Sequence, residues 1–229
     1  MKIIAVLAQK GGVGKTTTAI ELAVAAHLAG LAVGIIDLDP QGTAAKWGDR
    51  RAKREDDESP SVIGGQASRL AVLLDVARNN GTDRIVLDTP PHAETVALQA
   101  AKASDLILIP TRAGGFDLEA IQTTLEMAEL AKKPAHVLIN AVPTNRQHLG
   151  DKALAGLRER GIPVVPVMWM ERAAFADLGT DDLAAPERDP VSKAAQEVKA
   201  LLEWICSQVG LTASLLEGKQ ASGLSGKVA

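Results

Sequence analysis

The sequence predicts an α/β fold, a mainly parallel, twisted β-sheet flanked by helices on both faces. Three observations carry that expectation. Short runs rich in Val, Ile, Leu and Ala alternate along the chain with longer segments of helical periodicity. The runs are apolar at nearly every position rather than at every second one, as strands covered on both faces must be. The first run passes directly into a glycine-rich turn and then into a helical stretch, and right-handed crossovers of this kind settle most of the remaining topology.

In chain order, strands are expected at Ile3–Ala8, Ala32–Asp37, Arg84–Asp88, Leu106–Pro110, Ala135–Asn140 and Val164–Val167. Helices are expected at Thr16–Leu28, Ala44–Arg54, Ser68–Asn79, Ala93–Ala101, Asp117–Ala131, Asp151–Arg160 and Ser192–Val209. Several open on Thr, Asp or Ser, whose side-chain oxygens suit a helix start, and Gly30 and Gly161 stand where a helix should stop. The charged run Lys53–Pro60 reads as an exposed loop. No internal repeat is visible. A chain of 229 residues is long enough for one sizeable core, so residues 1–211 are expected to form a single domain. Residues 212–229 are small and polar, with Gly218, Gly223 and Gly226, and are expected to be a disordered tail.

The turn after the first strand is Gln9-Lys10-Gly11-Gly12-Val13-Gly14-Lys15-Thr16-Thr17. Its glycines let the backbone turn tightly and aim successive N–H groups inward, and the following helix points its positive end at the same spot. Lys15 adds a point charge for the β- and γ-phosphates, and the Thr16 hydroxyl suits Mg²⁺. Gly11, Gly12, Val13, Gly14, Lys15, Thr16 and Thr17 are therefore the candidate phosphate-binding residues. An ordinary phosphate loop has glycine five residues before Gly14, where this chain has Gln9, and it lacks Lys10. In this form, KGGVGKTT, the segment resembles the deviant Walker A loop of the ParA/MinD group of P-loop ATPases, a likeness that extends over about the first nine-tenths of the chain. The resemblance implies a P-loop NTPase fold with ATP or ADP and Mg²⁺ as ligands. The sequence begins at the strand and resembles the small ParA proteins without an added N-terminal DNA-reading domain.

Asp37-Leu38-Asp39-Pro40-Gln41-Gly42 closes the second strand. Alternation puts Asp37 and Asp39 on one face, at the rim, where a phosphate-bound Mg²⁺ would balance their charge. The segment is similar to the second signature box of ParA-type ATPases, and by that resemblance Asp39 activates the attacking water and Asp37 stands in the outer shell of the metal. Asp88 ends an apolar strand before Thr89-Pro90-Pro91, in the manner of a Walker B acid that reaches Mg²⁺ directly or through water. The family pattern makes Thr89-Pro90-Pro91 a switch that senses the γ-phosphate. Asn140 and the stretch after Pro166, including Met168, also end strands at the edge where ligands gather, and they resemble the family's adenine-facing positions. Around Thr111–Leu118 the chain departs from the family's Pro-Ser turn, with Gly114-Gly115 suggesting mobility.

Lys10 needs a job that Lys15 does not already do. In proteins with this loop the equivalent lysine crosses a two-fold interface to the partner's nucleotide. The resemblance therefore implies catalytic roles for Lys10, Lys15 and Asp39, an ATP-dependent homodimer, binding of nonspecific duplex DNA by that dimer, and a centromere-binding ParB-type adaptor that stimulates hydrolysis. A formal charge of −3 excludes a globally basic nucleic-acid binder. DNA contact would thus be local, with Arg146, Lys152, Arg158, Arg160, Arg172, Lys193 and Lys199 as candidates. The absence of tyrosine, with only three Trp and two Phe, argues against stacking of single-stranded bases, and Trp47, Trp169 and Trp204 read as packing residues. A lone cysteine, Cys206, fits a reducing compartment and excludes a cysteine-held cluster. With no apolar run near the roughly 20 residues a bilayer span needs, the expected location is cytoplasmic, on the nucleoid when ATP is bound. A MinD-like membrane-cycling ATPase is the alternative, disfavoured because Leu211–Ala229 lacks a basic amphipathic pattern. A dethiobiotin-synthetase-like ligase is less favoured still. Cysteine count excludes a nitrogenase-reductase role, and the lack of tyrosine excludes a tyrosine-cluster kinase.

Overall fold

The computed structural model describes residues 1–54 and 60–210, with backbone only at 115–119. The sheet is six-stranded and entirely parallel, in the order β3-β2-β4-β1-β5-β6, formed by β1 (Lys2–Val6), β2 (Val33–Asp37), β3 (Ser61–Gly64), β4 (Arg84–Asp88), β5 (Leu106–Arg112) and β6 (Ala135–Asn140). Alternation along these strands divides the side chains between two cores. Ile4, Val6, Val33, Ile35, Val86, Leu106 and Leu108 face one side, beneath α1 (Lys15–Leu28), α2 (Thr43–Arg51) and α9 (Lys193–Gln208). Ile3, Ala5, Ile36, Ile85, Leu87, Ile107 and Ile109 face the other, beneath α3 (Leu70–Asn79), α4 (Glu94–Ala103), α5 (Gly115–Ala131) and α6 (Gln147–Glu159). That division is why the strands read as unbroken apolar runs.

Two expectations about strands fail, each for a local reason. Val164–Val167 is not a strand, and only a single parallel bridge joins Val164 to Val137. Pro163 and Pro166 bracket the segment and remove two of the N–H donors a ladder would need. The sixth strand is instead β3, whose burial pattern is mostly exposed. It is a short edge strand held by β2, with too few apolar residues to announce itself. Two short helices, α7 (Ala173–Asp181) and α8 (Ala185–Arg188), were likewise not foreseen. Gly30 and Gly161 do close α1 and α6 in left-handed conformation. The Lys53–Pro60 loop lies mostly outside the described residues, and the 212–229 tail lies wholly outside them.

Helix α1 is buried on nearly all sides, because the sheet, α8 and α9 surround it. That burial encloses Glu21, which is 0% exposed and accepts the Ala185 N–H on both carboxylate oxygens, at 3.2 and 2.9 Å. Desolvation pushes its pKa up to about 8; the nearby Glu187 raises it further, while the Ala185 N–H and Arg188 oppose the rise. A second tie runs from α2 to the α7–α8 corner. Arg51 grips Glu187 through two bonds of 2.8 and 2.7 Å and reaches the Asp182 carbonyl at 2.9 Å, while Trp47 donates to the same carbonyl at 3.0 Å. Breaking such an ion pair from one side costs about 3–5 kcal/mol, so α2 is firmly anchored behind the Asp37–Gly42 segment it follows.

The folded chain holds a proton on Glu21 that the unfolded chain releases near 4.5. Folding stability should therefore fall as pH rises through the window from about 4.5 to about 8 and level off above it. Glu21→Gln keeps an acceptor for Ala185 and removes this contribution. Urea denaturation across that window should show the variant matching the native chain at the acid end and exceeding it at the alkaline end; parallel curves would refute the assignment.

Candidate functional site

Parallel pairing brings the ends of five strands to one rim. Val6 and Asp88 are register partners, as are Asp37 and Asp88, and Arg112 pairs with Asn140. Crossovers leave β1 and β5 in opposite directions, so the crevice between them is the switch point where an open α/β sheet receives ligands. It is lined by Gln9, Lys10 and Val13 from the glycine-rich turn, Thr111 from β5 and Thr124 from α5.

The turn has the geometry its glycines promise. Gly12 and Gly14 take left-handed backbone at φ 72° and 92°, and Gly14, which has no side chain to offer as a cap, precedes α1. The first-turn amides of α1 therefore remain available to an anion. Lys15 is 7% exposed, and its ammonium donates to the Lys10 carbonyl at 3.2 Å, across the inside of the turn. Desolvation lowers its pKa, and the charges of Asp88 and Asp39 oppose that shift. Gln9, the departure from an ordinary phosphate loop, has a structural task. Its side chain donates to the Met127 sulfur of α5 at 3.4 Å, and its carbonyl accepts the His92 N–H at 3.2 Å.

The three carboxylates are held differently. Asp37 is 1% exposed and accepts backbone N–H groups on both oxygens, from Asp39 and Ala45, each at 3.0 Å. Asp39 lies past the end of β2, half-buried, with one oxygen taking the Gln41 N–H at 2.9 Å and the other left for a water. Asp39 thus stands in a turn beyond the strand rather than in it, and both carboxylates lie close enough to Asp88 to act on its charge. Asp88 is fully buried, and neither of its oxygens has a hydrogen-bond partner in the geometry of the described residues. Desolvation pushes its pKa up to about 7, with Thr16 and Lys15 pulling it down and Asp37 and Asp39 adding to the rise. An orphaned carboxylate beside a threonine hydroxyl fits a hard divalent cation. Among the described residues no three His, Cys, Asp or Glu cluster to hold a metal by themselves, which suits Mg²⁺, bound typically through one or two protein oxygens plus phosphate and water.

Thr89 is buried, and its hydroxyl donates to the Val6 carbonyl at 2.9 Å. The segment Thr89–His92 thus touches both β1 and the glycine-rich turn. His92 has a left-handed φ of 53°. Asn140 is 7% exposed, and its amide nitrogen donates to the Val13 carbonyl at 2.9 Å. Met168 is half-buried against the second core and lies beside Gly150 of α6. Among the basic candidates, Arg172 is bonded to Glu197 and Lys199 lies 3.9 Å from Glu203, while Arg146, Lys152, Arg158, Arg160 and Lys193 are exposed. Trp47 and Trp169 are buried, and Trp204 packs edge-on against His136. The anchors that sequence reasoning missed are Arg51, Glu21 and the contact between Asn140 and Val13, none of which has a sequence-local signature. Side chains of Gly115 to Glu119 lie outside the described residues.

The family profile described as "CobQ/CobB/MinD/ParA nucleotide binding domain" matches residues 4–181. The maintenance of carboxysome distribution protein A of Gloeobacter kilaueensis is 36% identical over 167 residues, covering 71% of this chain and 73% of the relative. The chromosome-partitioning ATPase Soj of Thermus thermophilus is 29% identical over 238 residues, covering 90% of this chain and 96% of the relative. Among solved structures, the septum site-determining protein MinD of Pyrococcus horikoshii, complexed with Mg-ADP, superposes with a TM-score of 0.69 at 17% identity, covering 99% of both chains.

Lys15→Ala removes a buried ammonium bonded across the inside of the turn and should weaken ADP binding by about 10- to 100-fold, the worth of a charged hydrogen bond. Asp88→Asn should leave metal-free ADP binding intact at pH 8 and abolish its enhancement by Mg²⁺. The same change should raise the thermal midpoint of the nucleotide-free chain at pH 8, because it removes an unpartnered buried charge. Calorimetric titration and thermal melts check both; an undiminished Mg²⁺ effect in Asp88→Asn would be fatal to the metal assignment.

Proposed function

The chain belongs to the CobQ/CobB/MinD/ParA nucleotide-binding family, whose ParA/MinD members are ATPases, and from that premise we propose that it is a ParA-type partition ATPase: it dimerises around ATP, holds duplex DNA without sequence preference as the dimer, and releases it after a centromere-binding ParB-type adaptor stimulates hydrolysis. The observation that carries this reading is the second lysine of the turn. Lys15 already fills the inside of the loop, bonded to the Lys10 carbonyl. Lys10 therefore supplies a charge that its own subunit's phosphate chain does not require, and a second copy of the chain does. The two curated relatives support the reading, since their names place them in carboxysome distribution and in chromosome partitioning. The cargo of this chain would be a plasmid, a chromosome or another large body, and the protein would work in the cytoplasm, on the nucleoid while ATP is bound.

Each named residue takes a role in that cycle. The glycine-rich turn and the amides of α1 bind the phosphate chain, and Lys15 neutralises its β- and γ-oxygens. Mg²⁺, held by Thr16 and Asp88 with Asp37 behind them, would supply charge neutralisation on the leaving phosphates. Asp39 orients the attacking water through its uncommitted oxygen. Thr89–His92, tied to Val6 and Gln9, transmits the state of the γ-position to the dimer face. Exposed residues of α6 and its flanks, including Lys152 and Arg158, offer a local basic surface for the DNA backbone.

Light scattering should record a monomer with ADP and a dimer with ATP and Mg²⁺ in the hydrolysis-blocked Asp39→Ala chain. That dimer should bind duplex DNA about tenfold or more tightly than the ADP form, within the ordinary range of such coupling. Lys10→Ala should bind ATP yet remain monomeric and lose turnover. Unchanged turnover in Lys10→Ala, or equal DNA affinity with ATP and ADP, refutes the proposal; ATP-dependent sedimentation with anionic liposomes instead of DNA would favour the membrane-cycling alternative.

A further inference from the structure

Asn140 does more in this structure than face a base. Its Nδ2 donates to the Val13 carbonyl at 2.9 Å, and its Oδ1 accepts the Ala141 N–H at 2.8 Å. The orientation of the amide is unambiguous, because a flip would set oxygen against carbonyl and N–H against N–H. Ala141 itself adopts a left-handed φ of 51°, uncommon for a residue with a side chain, so the chain turns sharply just after this bond. On the other side, a Cβ placed on Gly14 would lie 2.3 Å from Nδ2. The amide therefore works in the space that the missing side chain of Gly14 leaves.

The consequence follows from peptide geometry. Val13 and Gly14 share a planar trans peptide, in which the carbonyl and the N–H point in opposite directions. By drawing the Val13 carbonyl toward β6, Asn140 turns the Gly14 N–H the other way, away from β6. We propose that Asn140 is a positioning residue of the phosphate loop, which sets the Val13–Gly14 peptide so that the Gly14 N–H faces the phosphate chain of the nucleotide. The role is additional to any contact with adenine. One N–H and one lone pair of the amide are committed to Val13 and Ala141, and the other N–H and lone pair remain for a base. The inference rests on nucleotide binding by this loop and is independent of the partition reading.

A ligand with no base separates the two roles. Asn140→Ala loses both bonds; Asn140→Asp keeps the volume and the acceptor for Ala141 but loses the donor to Val13. Tripolyphosphate, ATP, ADP and GTP are titrated by displacement of a fluorescent ADP analogue, with thermal midpoints measured in parallel. Loss of one neutral hydrogen bond predicts about three- to tenfold weaker binding of tripolyphosphate and of GTP as well as of ATP, with or without a change in the ATP-to-GTP ratio. Weaker ATP binding with a collapsed ATP-to-GTP ratio and unaltered tripolyphosphate binding would assign Asn140 to the base alone and overturn the proposal. So would unaltered binding of all ligands, or losses that merely track a fall in thermal midpoint. Should Asn140→Ala fail to fold, Asn140→Asp carries the test, and where tripolyphosphate binds too weakly to titrate, weakened GTP binding supports the proposal and unaltered GTP binding overturns it.

Discussion

Burying a carboxylate with nothing bonded to it is costly, and Asp88 is such a group, fully buried with both oxygens unpartnered in the described geometry. The surrounding chain is arranged so that a cation carried by a phosphate chain would offset this cost. β4 lies between β1 and β2, and their register sets Asp88 beside Val6, where the glycine-rich turn departs, and beside Asp37, where the second acidic segment departs. Lys15 and Thr16 approach from the start of α1. A chain that concentrates negative charge in a desolvated rim beside a single buried ammonium is poised to take up a phosphate chain with a cation, because that ligand carries both of the missing partners.

The scaffold holds this rim still. Period-two alternation splits the strands into two cores, so the sheet cannot slip by one residue without exposing both. Helix α1, which supplies the anion-binding amides, is enclosed almost all round, and its Glu21 locks it to α8 through a single backbone N–H. Helix α2 follows the Asp37–Gly42 segment and is fastened to α7 and α8 by Arg50, Arg51 and Trp47. What is not fastened in this way is confined to short connections. Thr89–His92 is the clearest of these, with a left-handed histidine held by one long hydrogen bond to Gln9.

Gln9 illustrates how a departure from a common pattern finds its physical reason. A glycine there could offer only its carbonyl. The glutamine side chain adds a contact to the Met127 sulfur, binding the turn to α5 across the crevice between β1 and β5. Asn140 makes the corresponding tie from β6. The glycine-rich turn is in this way braced by two neighbouring elements and contacted by Thr89–His92.

Much of this was legible in the residues themselves. The parallel sheet, the left-handed glycine turn, the place of Asp88 at a strand end and the stops at Gly30 and Gly161 depend on short-range chemistry: unbroken apolar runs, glycines where φ is positive, and an acid at a strand end. The seventh-decade strand β3 escaped notice because its edge position relieves it of any need for an apolar run, and Val164–Val167 misled because apolar content hides the two missing donors of Pro163 and Pro166. Roles that depend on partners distant in sequence were beyond reach. Glu21 is an unremarked acid in a helix until Ala185 arrives 164 residues later, and Asn140 is strand punctuation until Val13 lies against it across 127. Local sequence determined which groups the glycine-rich turn presents, because conformation and charge at a turn are properties of neighbours in the chain. Tertiary structure alone decided how those groups are aimed and which of their charges go without a partner, because burial and hydrogen bonding are settled only when distant segments exclude water together.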